Sequence, residues 1–158
     1  MEHWADKYSD QVSGTTRSDQ IRLEEGKIIR AAFPDVWVAL KERVNQDAEI
    51  LRAKFPGQAA YDLDVALERA GTALETLVIR RKSFPFRNIS ITPKIDARVL
   101  NLIKAPDLDT TGTPERFERD VIRIAVSQSD LNFYSGGKLL LGPVQLSESL
   151  FSYVCANT

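Results

Sequence analysis

Apolar residues recur at helical spacing from Ile21 through Ile28, Ile29, Ala32 and Phe33, and Val36, Trp37, Leu40, Val44, Ala48, Leu51 and Phe55 continue the period. Leu, Ala, Lys, Glu and Arg dominate between Val36 and Phe55, so local propensity agrees with the pattern. Pro34 interrupts the run, because it offers no N–H to the carbonyl of Arg30. Either two helices meet there or one long helix kinks. Pro56-Gly57 closes the stretch. Residues 1–18 contain few aliphatics and end in Ser13-Gly14-Thr15-Thr16-Arg17-Ser18, the composition of a flexible tail anchored only by Trp4 and Tyr8.

After Gly57 the period shortens to two. Leu63, Val65 and Leu67 alternate with Asp62, Asp64, Ala66 and Glu68, which favours a strand, although Leu63, Leu67, Ala70 and Leu74 also suit a helix. The segments 74–82, 86–92, 95–104, 120–127 and 130–134 are rich in Ile, Val, Thr and aromatics and are separated by turn residues, so they are expected as strands. Gly136-Gly137 between Leu131-Asn132-Phe133-Tyr134 and Leu139-Leu140-Leu141 marks a tight hairpin. Leu146, Leu150, Phe151 and Val154 then share one face of a short terminal helix. The expected architecture is α+β: a long N-terminal helix, kinked or broken at Pro34, packed on an antiparallel sheet of about five or six strands. A short C-terminal helix completes a single domain over residues 19–158.

Composition adds constraints rather than an activity. At 158 residues, 43% hydrophobic and 27% charged, the chain has the make-up of an ordinary globular domain. No apolar run approaches the ~20 residues of a membrane helix, and the first residues lack the features of a signal peptide. One cysteine, Cys155, forbids an internal disulfide, and a cytoplasmic setting is expected. A net charge of −1 leaves only local charge to attract a partner.

That local charge lies between residues 76 and 104. Arg80, Arg81, Lys82, Arg87, Lys94, Arg98 and Lys104 face Asp96 alone, so seven bases against one acid give +6. Ten bases against fourteen acids give −4 over residues 1–75, and four against seven give −3 over 105–158. The seven cations are a candidate polyanion site, with Phe84 or Phe86 available to stack on bases. Alternation argues against it, since Arg80 and Lys82 share one face of a strand while Arg81 takes the other. The basic run before Ser83 also matches what basophilic kinases accept, but the turn at Ser83-Phe84-Pro85 accounts for the serine.

Other chemistry is sparse. Asp107, Asp109, Thr111, Gly112 and Glu118 approximate the ligand spacing of a calcium loop, yet Pro106 and Pro114 disrupt it and a strand-like segment follows. No metal site and no cofactor is therefore expected. His3 is the only histidine and lies in the tail, which leaves no base for a nucleophilic triad. Cys155 has no neighbouring cation in sequence and is expected as a small buried hydrophobe. Gly136-Gly137-Lys138 lacks the spacing of a phosphate loop. Asp62 and Asp64 would stand about 6–7 Å apart on one strand face, a separation that paired catalytic carboxylates use, but solvated acids on a half-exposed strand have the same appearance. Phe33, Trp37, Leu40 and Val44 line the expected space between helix and sheet, as a candidate pocket or as core. The expectation is a non-catalytic domain acting through an unidentified protein partner or a second copy of itself in a homodimer. Polyanion binding by the basic sheet and an apolar ligand under the helix are the alternatives.

Overall fold

The computed structural model describes residues 4–70, 74–83, 86–105, 118–127 and 130–156, with side chains described from Arg17 onward apart from positions 70 and 74. One helix, α1 (Trp4–Lys54), continues through Pro34 without a break. The sequence therefore does not break into two helices there, and positions 4–18 of the segment read as a tail form the first turns of α1. The helix ends where Gly57 takes a φ of 75°, a left-handed conformation that suits a residue without Cβ. Phe55 stacks on Tyr61 just beyond it, with ring centroids 4.3 Å apart.

Seven strands follow as a meander: β1 (Leu63–Ala70), β2 (Leu74–Arg81), β3 (Arg87–Lys94), β4 (Val99–Ala105), β5 (Glu118–Ser127), β6 (Asp130–Ser135) and β7 (Lys138–Leu140). Each pairs antiparallel with its predecessor, so the sheet order is the chain order. Leu63–Ala70 forms a strand, after a 3-10 turn at Ala59–Tyr61. The expected five or six strands become seven because the short Lys138–Leu140 ladder pairs back on β6. The strand expected from Ile95 starts later, as Ile95–Ala97 forms a 3-10 turn and Arg98 closes it in the left-handed region with φ 57°. Helix α2 (Gly142–Val154) ends the chain's regular structure.

Register puts one set of side chains on a common face. Leu63, Leu77, Ile79, Ile89, Ile91, Leu100, Leu102, Ile122, Ile124, Leu131, Phe133 and Leu140 are all buried, and the pairings Leu77 with Ile91, Leu100 with Ile122, and Ile124 with Phe133 align them across strands. From α1, Ile29, Phe33, Trp37, Leu40, Val44 and Ala48 project at intervals of three or four onto that face, and α2 adds Leu146, Leu150, Phe151 and Val154. Both helices thus lie on one side of the sheet. Polar links fix their mutual position: Ser147 donates to Asp47 Oδ2 at 2.8 Å, and Arg43 Nε donates to the same oxygen at 3.1 Å. Arg52 Nη1 reaches the Leu63 carbonyl at 2.9 Å, occupying the start of the open edge of β1.

Candidate functional site

The seven cations singled out in the sequence do not share one surface. Arg80 points to the helix-free face of the sheet and pairs with Glu68 across the first hairpin at 2.5 Å. Lys82 lies 3.6 Å from Asp62, whose carboxyl is held below its ordinary value chiefly by the Ser83 hydroxyl. Arg98 turns back to α1, where Nη1 donates to Glu25 at 3.1 Å and Nη2 donates to the Arg22 carbonyl. Lys94 sits exposed beside the turn that follows β3.

Only Arg81, Arg87 and Lys104 come together, on the helix-covered face near the end of α2. Arg81 and Arg87 stand directly opposite each other in the β2–β3 register and are 4% and 8% exposed. Arg81 Nη1 donates to the Ala156 carbonyl at 2.9 Å and Arg87 Nη1 to the Tyr153 carbonyl at 3.1 Å. Those carbonyls lie at the negative end of α2, which favours cations there. Lys104 Nζ and the Arg87 guanidinium approach the Tyr153 ring at 5.2 and 5.7 Å. These three residues anchor the C-terminal helix to the sheet, and the polyanion surface expected over residues 80–104 is not assembled by the described residues.

The expected pocket divides. Leu40 and Val44 belong to the core, whereas Phe33 and Trp37 floor an open groove of about 710 Å³ between α1 and the turn after β3. Pro34 and Val38 extend the helix wall, and Pro93, Ile95 and Ala97 form the opposite one. The floor is fixed in place. Phe33 and Trp37 stack with centroids 5.9 Å apart, and Trp37 Nε1 donates to Glu75 Oε1 at 2.8 Å. Lys41 Nζ donates to the same oxygen at 2.7 Å, and Arg69 reaches Oε2 at 3.3 Å. Lys41 and Trp37 together hold the Glu75 carboxyl below its ordinary value of 4.5. Glu75, Lys41 and Arg69 carry no pattern that would have paired them in the sequence, since they meet only through the fold.

A second surface had a readable signal. In Asp120-Val121-Ile122-Arg123-Ile124, the burial of Ile122 and Ile124 turns Val121 and Arg123 to the opposite face. There Val121 is 49% exposed, Ile103 39% and Leu139 41%, on the side that neither helix covers. A cross-strand row of Val99, Arg123, Tyr134 and Leu139 traverses β4 to β7, and the Arg123 guanidinium lies 5.3 Å from the Tyr134 ring centre. Arg119 opposes Ile103 on the same face. Among the described residues, neither Arg119 nor Arg123 is paired with an acid.

The remaining candidates gain little. Most of the calcium-like loop (positions 107–117), His3 and Phe84 lie outside the described residues. Among the described residues no three His, Cys, Asp or Glu side chains converge, and no helix is long and apolar enough to cross a membrane. Cys155 is half-buried, and burial pushes its thiol above the ordinary value, so the group is a protonated thiol at neutral pH. No protein family, no curated protein and no solved structure matches this chain.

Proposed function

We propose that the chain is a non-catalytic association domain that binds another protein through the helix-free face of β4 to β7. The observation that supports this is the combination of exposed Val121, Ile103 and Leu139 with Tyr134 and two arginines that pair with no acid among the described residues. A solvated sheet face is normally polar, and β1 to β3 largely follow that rule with Asp64, Glu68, Thr76, Arg80, Asn88, Ser90 and Thr92, the apolar pair Ala66 and Val78 excepted. The other half of the same face departs from it in the direction of protein interfaces, where Tyr and Arg surround an apolar centre. A face-to-face homodimer would gather four guanidiniums that pair with no acid among the described residues, so a different protein with carboxylates around an apolar patch is the better complement. We place this partnership in the cytoplasm, where a chain with one protonated thiol needs no oxidising environment.

The test compares affinity capture from source cells with the wild type and with Val121→Asp, both checked for unchanged thermal unfolding. A specific partner should be retained by the wild type and bound at least roughly tenfold more weakly by the variant, the effect of burying an unpaired carboxylate at an interface centre. Equal recovery by both proteins would reject this face as the binding surface. Sedimentation of the isolated protein should show a monomer; a dimer dissociated by Val121→Asp would replace the foreign partner with a second copy.

A further inference from the structure

From the groove over Phe33 and Trp37, independently of the opposite sheet face, we infer a binding site for an amphipathic monoanion: an apolar chain or ring system carrying one carboxylate. The volume of about 710 Å³ lies within the ~300–1,000 Å³ typical of small-molecule sites. The edges of Phe33 and Trp37 form its floor and Val38, Pro93 and Ile95 its apolar walls, with the one polar group of the floor, the indole N–H, already bonded to Glu75.

The charge inventory of the rim selects the head group. Glu75 is taken by Trp37, Lys41 and Arg69, so neither its carboxylate nor the Lys41 ammonium is free. Asp96 is engaged by Arg30 at 3.2 Å. Lys94 is the lining charge that has no ion pair among the described residues, and it is exposed at the groove's edge. What the groove offers is therefore an apolar trough and one uncommitted ammonium. A cation would meet Lys94 as a like charge, and a polyanion would find no second free cation in the lining.

The groove is also built before any ligand arrives. The hydrogen bond from Trp37 to Glu75 fixes the indole, and two prolines stiffen opposite walls. Arg98 ties the turn that forms the far wall to α1 through Glu25 and the Arg22 carbonyl. Such a site loses little conformational freedom on binding.

Decanoate serves as the probe, with decanol as its neutral counterpart. Trp4→Phe leaves Trp37 as the only tryptophan, so its fluorescence reports the groove. Decanoate should produce a saturable change in Trp37 emission. Lys94→Glu should weaken decanoate binding at least roughly fivefold while leaving decanol unchanged, as expected when a rim ion pair is replaced by repulsion. Val38→Asp, at a position 48% exposed and therefore tolerant of a carboxylate, should abolish both signals. The inference is overturned by the absence of a saturable decanoate signal, by equal decanoate affinity in the Lys94→Glu protein, or by binding that survives Val38→Asp. None of these outcomes bears on the Val121 surface.

Discussion

Single side chains in this protein acquire their roles from neighbours distant in sequence, and Glu75 is the clearest case. It accepts from Trp37, Lys41 and Arg69, and the first two donors arrive from the middle of α1. Because its folded-state value is depressed below 4.5, the charged form contributes stability above that value, and this contribution is lost as pH falls through the lower folded value. Glu75→Gln keeps an acceptor for Trp37 but removes the charge. At pH 7 the variant should therefore melt below the wild type, by an amount on the order of 1 kcal/mol for one partly buried pair. The two melting curves should converge as the pH is lowered below 4.5. A gap that persists unchanged through acid would show that the loss comes from the amide's poorer hydrogen bonding to its donors and not from the missing charge. Arg81 and Arg87 make the same point from the other direction: as letters they belong to a basic run, and only the strand alternation and the arrival of α2 turn them into buried anchors.

At the scale of elements, Pro34 sets the most specific expectation. It lies inside α1, where it withholds a donor from the Arg30 carbonyl and crowds the preceding turn, a cost of about 3 kcal/mol relative to alanine in an ordinary helix. Pro34→Ala should recover part of that, about 1–3 kcal/mol, seen as a higher urea midpoint with an unchanged slope. No gain would mean that the proline's geometry is needed by the packing of Phe33 and Trp37 below it. The elements themselves were largely legible. A stripe spaced three and four residues apart marks α1 from Ile29 to Ala48, and period-two runs mark the strands through β6. Besides the early start of α1 and its continuity through Pro34, two features were hard to read for physical reasons. A three-residue strand such as β7 is too short to show a period, so only the hairpin signal at Gly136-Gly137 pointed to it, and a left-handed Arg98 ends a 3-10 turn without the glycine that would announce it.

For the whole molecule, periodicity tells which side chains face inward but not how deep each one goes. Phe33, Trp37, Leu40 and Val44 share one helical stripe, yet Leu40 and Val44 are enclosed while the other two border a groove. Likewise the alternation in β5 announces two faces, while only the placement of both helices on the same side decides that Val121 meets solvent. The layering also makes the ends of α1 unequal. Among the described side chains, those from Arg17 to Glu24 are exposed and the first buried one is Ile29, whereas the core stripe extends to Ala48. Stability should therefore reside in the part of the helix that lies on the sheet. Removing residues 1–18 should leave a cooperative urea transition with the same midpoint and the same slope, because the slope follows the surface exposed on unfolding and, among the described side chains, the core stripe begins only at Ile29. A cut extended past Phe33 removes Ile29 and Phe33 from the core and should cost several kcal/mol, by analogy with about 2–5 kcal/mol for truncating one large buried side chain. A lowered midpoint in the shorter deletion would instead assign the first turns of α1 a packing role of their own.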